Sequence, residues 1–554
     1  MIQSIDYYAV APLLVLVLTA GLVLLLDVFL PRAPYARPAL GAVTLAGVLG
    51  ALAVVVAQAV RGGDPMRTLC VPAGLPGPAR AGIGPLNLGT LASGPGGPAG
   101  DSSALCSFVV DDFTLIFAGL ALAAGVIVVL LSMAELSSGD VPVGEWYFLL
   151  LCTLIGAVAL PASRDLVMLV VALELVSLPV FALTALRRYD GRSSEAAVKL
   201  FLVSVVSTAV MLFGVSLLYG MTGTVYLDRL AQVLREPLTG AAAGSGAGQA
   251  VAAGAYTSTL QIVYDLPPVL TVAMVLVLAG FAFKVAAVPF HAWAGDVYQG
   301  APVPVAALLS VISKAAGFAG LILILFAALR GQIAVWAPLV AIIAALTMTV
   351  GNLLALRQRH AVRLLAWSSV AQSGYILAPL GVRSNEAVSA SIAYLVFYAA
   401  MNLGAFAVVM LVSRRGGRNE LDDYRGLAFR NPVAGVALAF FLICLAGLPP
   451  GLAGLFAKIV VFREIVDGGG GWLAVVMAVN TVIGLYYYLA WAVRIFTPVP
   501  VAESAGVPPA EGGSRTRWAP VGVAIVLAGA VAVVFSIAPQ AVLGLLPGVF
   551  TAPG

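Results

Sequence analysis

Two ionisable side chains stand inside one apolar hairpin, GFAFKVAAVPFHAWAGDVYQGAPVPVAALLSVISKAAGF, running from Gly280 to Phe318. An apolar helix carrying Lys284 runs into Pro289. A polar turn then holds His291, Trp293, Asp296, Tyr298 and Gln299, and a second apolar helix carries Lys314. Of the chain's 29 basic residues only four are lysine, Lys199, Lys284, Lys314 and Lys458, and all four fall in apolar stretches. The arginines fall in loops or at helix ends. Arginine stays protonated in proteins, whereas a desolvated lysine can lose its proton. That division suits a chain that loads and unloads protons.

An acid accompanies the lysines. Glu174 sits in the middle of DLVMLVVALELVSLPVFAL, and Glu145 opens the preceding apolar stretch in GEWYFLLL. A charge at the centre of a bilayer costs roughly 2.5–3.5 kcal/mol on insertion scales, so Glu174, Lys284, Lys314 and Lys458 are expected to face the protein interior and pair. A carboxylate beside a buried ammonium favours its charged form and burial opposes it, so withdrawing the carboxylate would favour proton release. Lys199 lies near the start of its helix and either snorkels to the interface or joins the interior set; Glu145 is open in the same way. The two histidines are too few for the paired ligands of a multi-haem cytochrome. His291 is a candidate for a proton entry path, and His360 reads as interfacial.

The elements that must position these groups follow from composition. The 554 residues are 61% hydrophobic and 10% charged, against roughly 25% charged in a soluble protein. The class is an all-α polytopic membrane protein, for which the net charge of +4 implies no nucleic-acid partner. At about 20 apolar residues per span, about 14 transmembrane helices are expected. Their starts fall near Tyr8, Pro38, Phe108, Trp146, Asp165, Glu195, Pro267, Pro304, Ile333, Val362, Ala387, Val433, Gly471 and Trp518. The first, with no basic stretch before it, reads as an uncleaved span. Two Gly-, Pro- and Ala-rich stretches, Arg61 to Ser107 and Met221 to Leu266, read as loops without a motif. Cys152 and Cys444 read as packing residues. Cys70 and Cys106 fall in or beside one long loop, and spacing leaves open whether they pair.

Alternating the 14 spans puts 16 of the 25 arginines on one side and 9 on the other, five of the latter in the long loops. The positive-inside rule then places both termini outside the cytoplasm. One helix breaks at Pro289 beside Lys284, and another at Pro449–Pro450 shortly before Lys458, five helices later. An odd offset gives opposite orientations, so two inverted five-helix repeats, each with a broken helix, are expected around a site near the midplane. The chain divides accordingly into 1–144 (three helices and a long extracytoplasmic loop), 145–330 (helices 4–8), 331–497 (helices 9–13) and 498–554 (cytoplasmic loop and last helix). The sequence has no phosphate loop, CxxC or dinucleotide fingerprint, so redox energy is expected to come from partners.

With these residues in view, KVAAVPFHAWAGDVYQGAPVPVAALLSVISK resembles the signature of a known family. Its members are the proton-translocating antiporter-like subunits of NADH–quinone oxidoreductase (complex I) and of Mrp cation/proton antiporters. GNLLALRQRHAVRLLAWSSVAQSGYILAPLG is similar to the family's next block, around an LLAYSS motif. SSEAAVKLFLVSVVSTAVMLFG and LAGLPPGLAGLFAKIVVF resemble its sixth- and twelfth-helix blocks. The resemblance runs from about Glu145 to Arg494 and is strongest to the subunit-N type. Gly295 stands where the family usually has proline, and Gln372 where many members have histidine.

The resemblance implies a role for each residue. Glu174 and Lys284 would form the acid–lysine pair of a first half-channel, supported by Lys199. Lys314 would be the central relay and Lys458 the exit-side group of a second half-channel. Glu145 would couple the chain to a neighbouring subunit. The implied function is proton translocation driven by quinone reduction elsewhere in a respiratory complex, in a bacterial inner membrane. This chain would hold no cofactor itself; NADH, FMN, iron–sulfur clusters and quinone would belong to partners. Those partners would be membrane-arm subunits, including another antiporter-like subunit and small membrane subunits, within the lipid bilayer. The alternatives are a subunit of an Mrp-type Na⁺/H⁺ antiporter, and an assembly scaffold whose lysines lock helices together.

Overall fold

In lipid the backbone must satisfy its own polar groups, and a chain this apolar does so as helices. The computed structural model describes residues 5–29, 36–71, 105–137, 141–187, 190–235, 268–384, 386–416, 419–498 and 515–546. The first three membrane helices are α1 (Ala11–Phe29), α2 (Ala36–Arg61) and α3 (Asp112–Leu136). They are followed by α4 (Val143–Ala159), α5 (Leu166–Ala185), α6 (Gly191–Thr222) and the short α7 (Leu227–Arg235). The lysine hairpin supplies α8 (Pro268–Lys284) and α9 (Trp293–Gly300), then α10 (Val303–Ala328), whose helical path includes π-turns at Leu309–Ser313 and Leu323–Ala328. The rest is α11 (Ile333–Leu356), α12 (Ala361–Leu377), α13 (Ala387–Gly416), α14 (Pro432–Ala446), α15 (Leu452–Asp467), α16 (Gly471–Phe496) and α17 (Arg515–Ile537). A described helix begins within four residues of every expected start. Among the described residues, eleven helices are long and apolar enough to cross a membrane; α8 and α14 are shorter apolar helices.

Polar residues sit where helices start. Asp111, Asp165, Asp190 and Asn431 each accept a backbone N–H of the helix they open, satisfying a donor the helix leaves orphaned. The layers follow hydrophobic exposure. In α10 and α13 the apolar windows are 94% and 89% buried, whereas in α1 and α6 they are 28% buried. The Lys314 helix is therefore central, and the outer helices keep apolar faces for lipid.

Both expected breaks are present. The helix α8 ends at Lys284, the chain turns through a cis Val288–Pro289 peptide, and the Val288 amide donates to Thr347 Oγ1 of α11 at 3.0 Å. The helix α14 ends at Gly447, whose φ of 83° lies in the left-handed region that glycine occupies without steric cost. A cis Pro449–Pro450 peptide follows, then α15.

Two features correct the reading of the long loops. The ends of the first form an antiparallel hairpin, β1 (Met66–Cys70) with β2 (Cys106–Val110), closed by a Cys70–Cys106 disulfide. The expected helix start at Phe108 therefore moves to Asp112. In the second, α7 packs against the end of α10, and Gln332 Nε2 donates to the Leu234 carbonyl at 3.1 Å. Short strands whose partners lie 36 to 44 residues apart leave little local periodicity to read. Most of both loops, like residues 499–514, lies outside the described residues.

Candidate functional site

The lysines of the two breaks and of α10 are withdrawn from the surface. Lys284, Lys314 and Lys458 are 6%, 1% and 9% exposed. A buried ammonium needs acceptors, and each finds a different set.

Lys284 ends α8, where it reaches across to α5 and α6. Its Nζ lies 3.2 Å from Glu174 Oε1 and donates to Ser177 Oγ at 2.7 Å and Ser204 Oγ at 3.3 Å. Glu174 also accepts from Thr208 Oγ1 at 2.8 Å. The spacings explain the cluster: 174 and 177 are i,i+3 on α5, and 204 and 208 are i,i+4 on α6, so each pair shares a helix face. The expected Glu174–Lys284 pair is thus formed in this structure. Ser177, Ser204 and Thr208 escaped the sequence reading, because single hydroxyls are common in apolar helices.

Among the described residues, Lys314 has no carboxylate as a hydrogen-bond partner. Its Nζ donates to the Ser369 carbonyl and, at 2.8 Å, to Ser373 Oγ, both on α12. Around it runs a net of buried hydroxyls. Tyr398 Oη donates to Ser369 Oγ at 2.8 Å, Tyr394 Oη donates to Gln372 Oε1 at 2.6 Å, and Gln372 Nε2 donates to Tyr488 Oη at 3.2 Å. Tyr488 in turn bonds Ser368 Oγ at 2.5 Å. Tyr375 stacks on Tyr394 with ring centroids 5.9 Å apart, and Lys458 Nζ lies 5.9 Å from the Tyr375 centroid. Gln372, noted from the sequence resemblance as standing in place of a histidine, bonds a tyrosine on each side.

Lys458 uses the break itself. Its Nζ donates to the carbonyls of Leu445 and Ala446, at 3.2 and 2.7 Å, at the end of α14. A helix leaves its last carbonyls without intrahelical partners, and its C-terminus favours a cation. The proline break therefore creates the acceptor site for Lys458.

The remaining candidates lie apart from this set. Lys199 is 44% exposed and bonds Glu195 at 2.7 Å and Asp296 at 2.9 Å. His291, half-buried in the turn before α9, has Nδ1 3.2 Å from the Pro289 carbonyl and its ring edge-on to Trp367. Glu145 is exposed at the first turn of α4. A further carboxylate, Glu135 at the end of α3, is buried and paired with Arg187 at 2.5 Å.

An interrupted-helix bundle with lysines at both breaks, one paired with an intramembrane glutamate, defines a class of multi-pass transport proteins. Residues 163–484 match the model of the family described as NADH:quinone oxidoreductase/Mrp antiporter, TM. The chain belongs to that family. It is 45% identical over 563 positions to NADH-quinone oxidoreductase subunit N 2 of Streptomyces griseus, covering 98% of this chain and 93% of the relative. It is 43% identical over 509 positions to NADH-quinone oxidoreductase subunit N of Salinispora tropica, covering 88% of this chain and 85% of the relative. Among solved structures, a chain of respiratory complex I from Thermus thermophilus with bound aureothin is 29% identical, with a TM-score of 0.66 over 96% of this chain and 98% of that one. A chain of the Mrp complex from Dietzia sp. shares the fold, with a TM-score of 0.75 at 20% identity over 98% of this chain and 96% of that one.

Proposed function

We propose that this chain is a proton-translocating membrane subunit of a respiratory NADH–quinone oxidoreductase, passing protons along Glu174, Lys284, Lys314 and Lys458. The observation that carries the reading is the Lys284–Glu174 pair at a helix break, its ammonium buried, together with two more buried lysines, Lys314 and Lys458, that each approach the polar residues of α12. In this reading the chain crosses the membrane 14 times as two inverted repeats, with units at 145–330 and 331–497. Quinone reduction in partner subunits supplies the energy. Cofactors reside in those partners, and exposed Glu145 faces a neighbouring subunit.

Each step has a physical cause. While Glu174 stands beside Lys284, its charge and the hydroxyls of Ser177 and Ser204 hold the ammonium. Moving the carboxylate away leaves a buried cation without a counter-charge, and a proton leaves toward α10. Lys314, held among the described residues by neutral acceptors, hands it on past the Ser369–Tyr398 and Gln372–Tyr394–Tyr488 contacts, whose polar atoms line the route. Lys458 receives it at the second break. Water carries the proton across the gaps between these groups. His291 lies toward the arginine-rich end and serves entry.

The direction is from the cytoplasm outward. The helix α3 runs from the disulfide-closed hairpin to the Glu135–Arg187 end, and a disulfide belongs to an oxidising compartment. Both termini are then extracytoplasmic. The alternative, Na⁺/H⁺ antiport in an Mrp-type assembly, shares the family model and, at 20% identity, the fold, whereas the relatives of 45% and 43% identity carry the oxidoreductase name. A purified complex that contains this chain and oxidises NADH decides against it. The direct test is proton uptake by membrane vesicles carrying an assembled Lys284→Ala complex. Lost pumping is expected; full stoichiometry would sink the relay.

A further inference from the structure

The half-helix α9 is a wedge between two helices that belong to different halves of the chain. On one side Gly300 meets α6: a Cβ there would lie 2.6 Å from both the Arg192 carbonyl oxygen and the Ala196 Cβ. On the other side Gly295 meets α12, where a Cβ would lie 2.8 Å from Trp367 Cζ2. Between these contacts sits Asp296, and its two oxygens point opposite ways. Oδ2 accepts from Lys199 Nζ of α6 at 2.9 Å, and Oδ1 lies 3.1 Å from Arg363 NH1 of α12. Arg363 NH1 also donates to Gln299 Oε1, one turn along α9, at 3.0 Å.

We propose that Asp296 is a positioning residue for proton transfer, a clamp that fixes α9 between α6 and α12 and so sets the geometry of the break at Lys284. An isolated pair at this exposure contributes little. Here one carboxylate joins three helices through two cations, so its loss frees both sides together. The break and α9 lie within one short hairpin: Lys284 ends α8, and α9 begins at Trp293. A shift of α9 is therefore transmitted to the backbone that carries Lys284. In this arrangement Lys199 is the counter-cation that ties α9 to α6.

The inference rests on the proposed pumping function, and the test separates the two. Vesicles with Asp296→Asn, Asp296→Glu and Lys284→Ala complexes would be compared for NADH oxidation by ferricyanide, which gauges assembly, and for protons taken up per NADH oxidised by quinone. Asp296→Asn is expected to lower pumping by about threefold at normal ferricyanide activity. Asp296→Glu should restore at least half of it, because it keeps both ion pairs. Hydrogen exchange in residues 293–300 of the assembled complex should rise in Asp296→Asn and return toward the parent in Asp296→Glu. If Asp296→Asn fails to assemble, Lys199→Gln and Arg363→Gln take its place; lowered pumping in either supports the clamp. Full pumping in Asp296→Asn, or in both replacements, overturns it. If Lys284→Ala also pumps fully, the relay itself fails; if only Lys284→Ala loses pumping, the clamp alone fails.

Discussion

The ammonium of Lys284 lies 3.2 Å from the carboxylate of Glu174, and each group is held from a second direction, Lys284 by Ser177 and Ser204 and Glu174 by Thr208. Removing one member of a buried pair costs roughly 3–5 kcal/mol. Glu174 is 23% exposed, so the lower end of that range applies. Glu174→Gln is expected to cut proton uptake per NADH at least severalfold in assembled vesicles, with ferricyanide reduction unchanged. Ser177→Ala should cost less, because the carboxylate remains. Equal losses in both would mean that the hydroxyl, not the charge, governs the site.

Lys314 separates charge from proton exchange. It is 1% exposed and rests on a backbone carbonyl and a serine hydroxyl. Lys314→Arg keeps a cation but not one that releases its proton. Pumping is expected to fall to background in Lys314→Arg as far as in Lys314→Met, measured in complexes with normal ferricyanide activity. Substantial pumping by the arginine variant would assign Lys314 a fixed electrostatic role.

The groups that sequence exposed and the groups it hid differ in a physical way. Lysines, glutamates and prolines inside apolar helices are costly against a uniform background, so Glu174, Lys284, Lys314, Lys458 and the two breaks could be read one residue at a time. Ser177, Ser204, Tyr394 and Tyr488 are unremarkable residues in such helices. Their roles arise from contacts between segments separated by up to 120 residues, as for Ser368 and Tyr488. Asp296 lay in a turn already marked as polar, yet nothing local shows that its two oxygens meet different helices. The β1–β2 hairpin was hidden for the same reason. Lys199 had two open readings, and its ion pairs with Glu195 and Asp296 place it on a half-exposed surface.

Gln372 joins Tyr394 and Tyr488 through its oxygen and its nitrogen. Gln372→Leu takes the acceptor from the buried Tyr394 hydroxyl, at about 1–3 kcal/mol, whereas Tyr488 keeps Ser368. The assembled complex is expected to denature at a lower temperature and to pump less. Gln372→His, which keeps a donor and an acceptor on one ring, should retain most of both. A Gln372→Leu complex with parental stability and pumping would remove this net from the path.

Gly295 and Trp367 form a size-matched pair. A Cβ at Gly295 would stand 2.8–3.0 Å from three indole atoms, and a buried indole cannot swing aside as a flexible chain end can. Gly295→Ala is expected to lower the yield and thermal stability of the complex, and Trp367→Tyr in the same chain to recover part of the loss. The measurement is a double-mutant cycle on the denaturation midpoint. Simple additivity of the two changes would mean that the contact carries no coupling.

The Cys70–Cys106 disulfide offers a test of orientation that does not depend on pumping. It closes a 36-residue separation between β1 and β2 at the end of α3 remote from Arg187. In spheroplasts, a membrane-impermeant maleimide of high mass should leave the chain unshifted until an impermeant reductant is added, and should then tag two cysteines. Cys444 is buried and Cys152 lies partly buried in α4, so neither should compete. Tags that appear only after permeabilisation would put the hairpin in the cytoplasm and reverse the direction of transport. Closing a loop of this length contributes roughly 2–4 kcal/mol. Cys70→Ser should therefore also loosen the β1–β2 hairpin, read as faster proteolysis of the chain in the same spheroplasts. Protection equal to the parent would mean that strand pairing alone holds the hairpin.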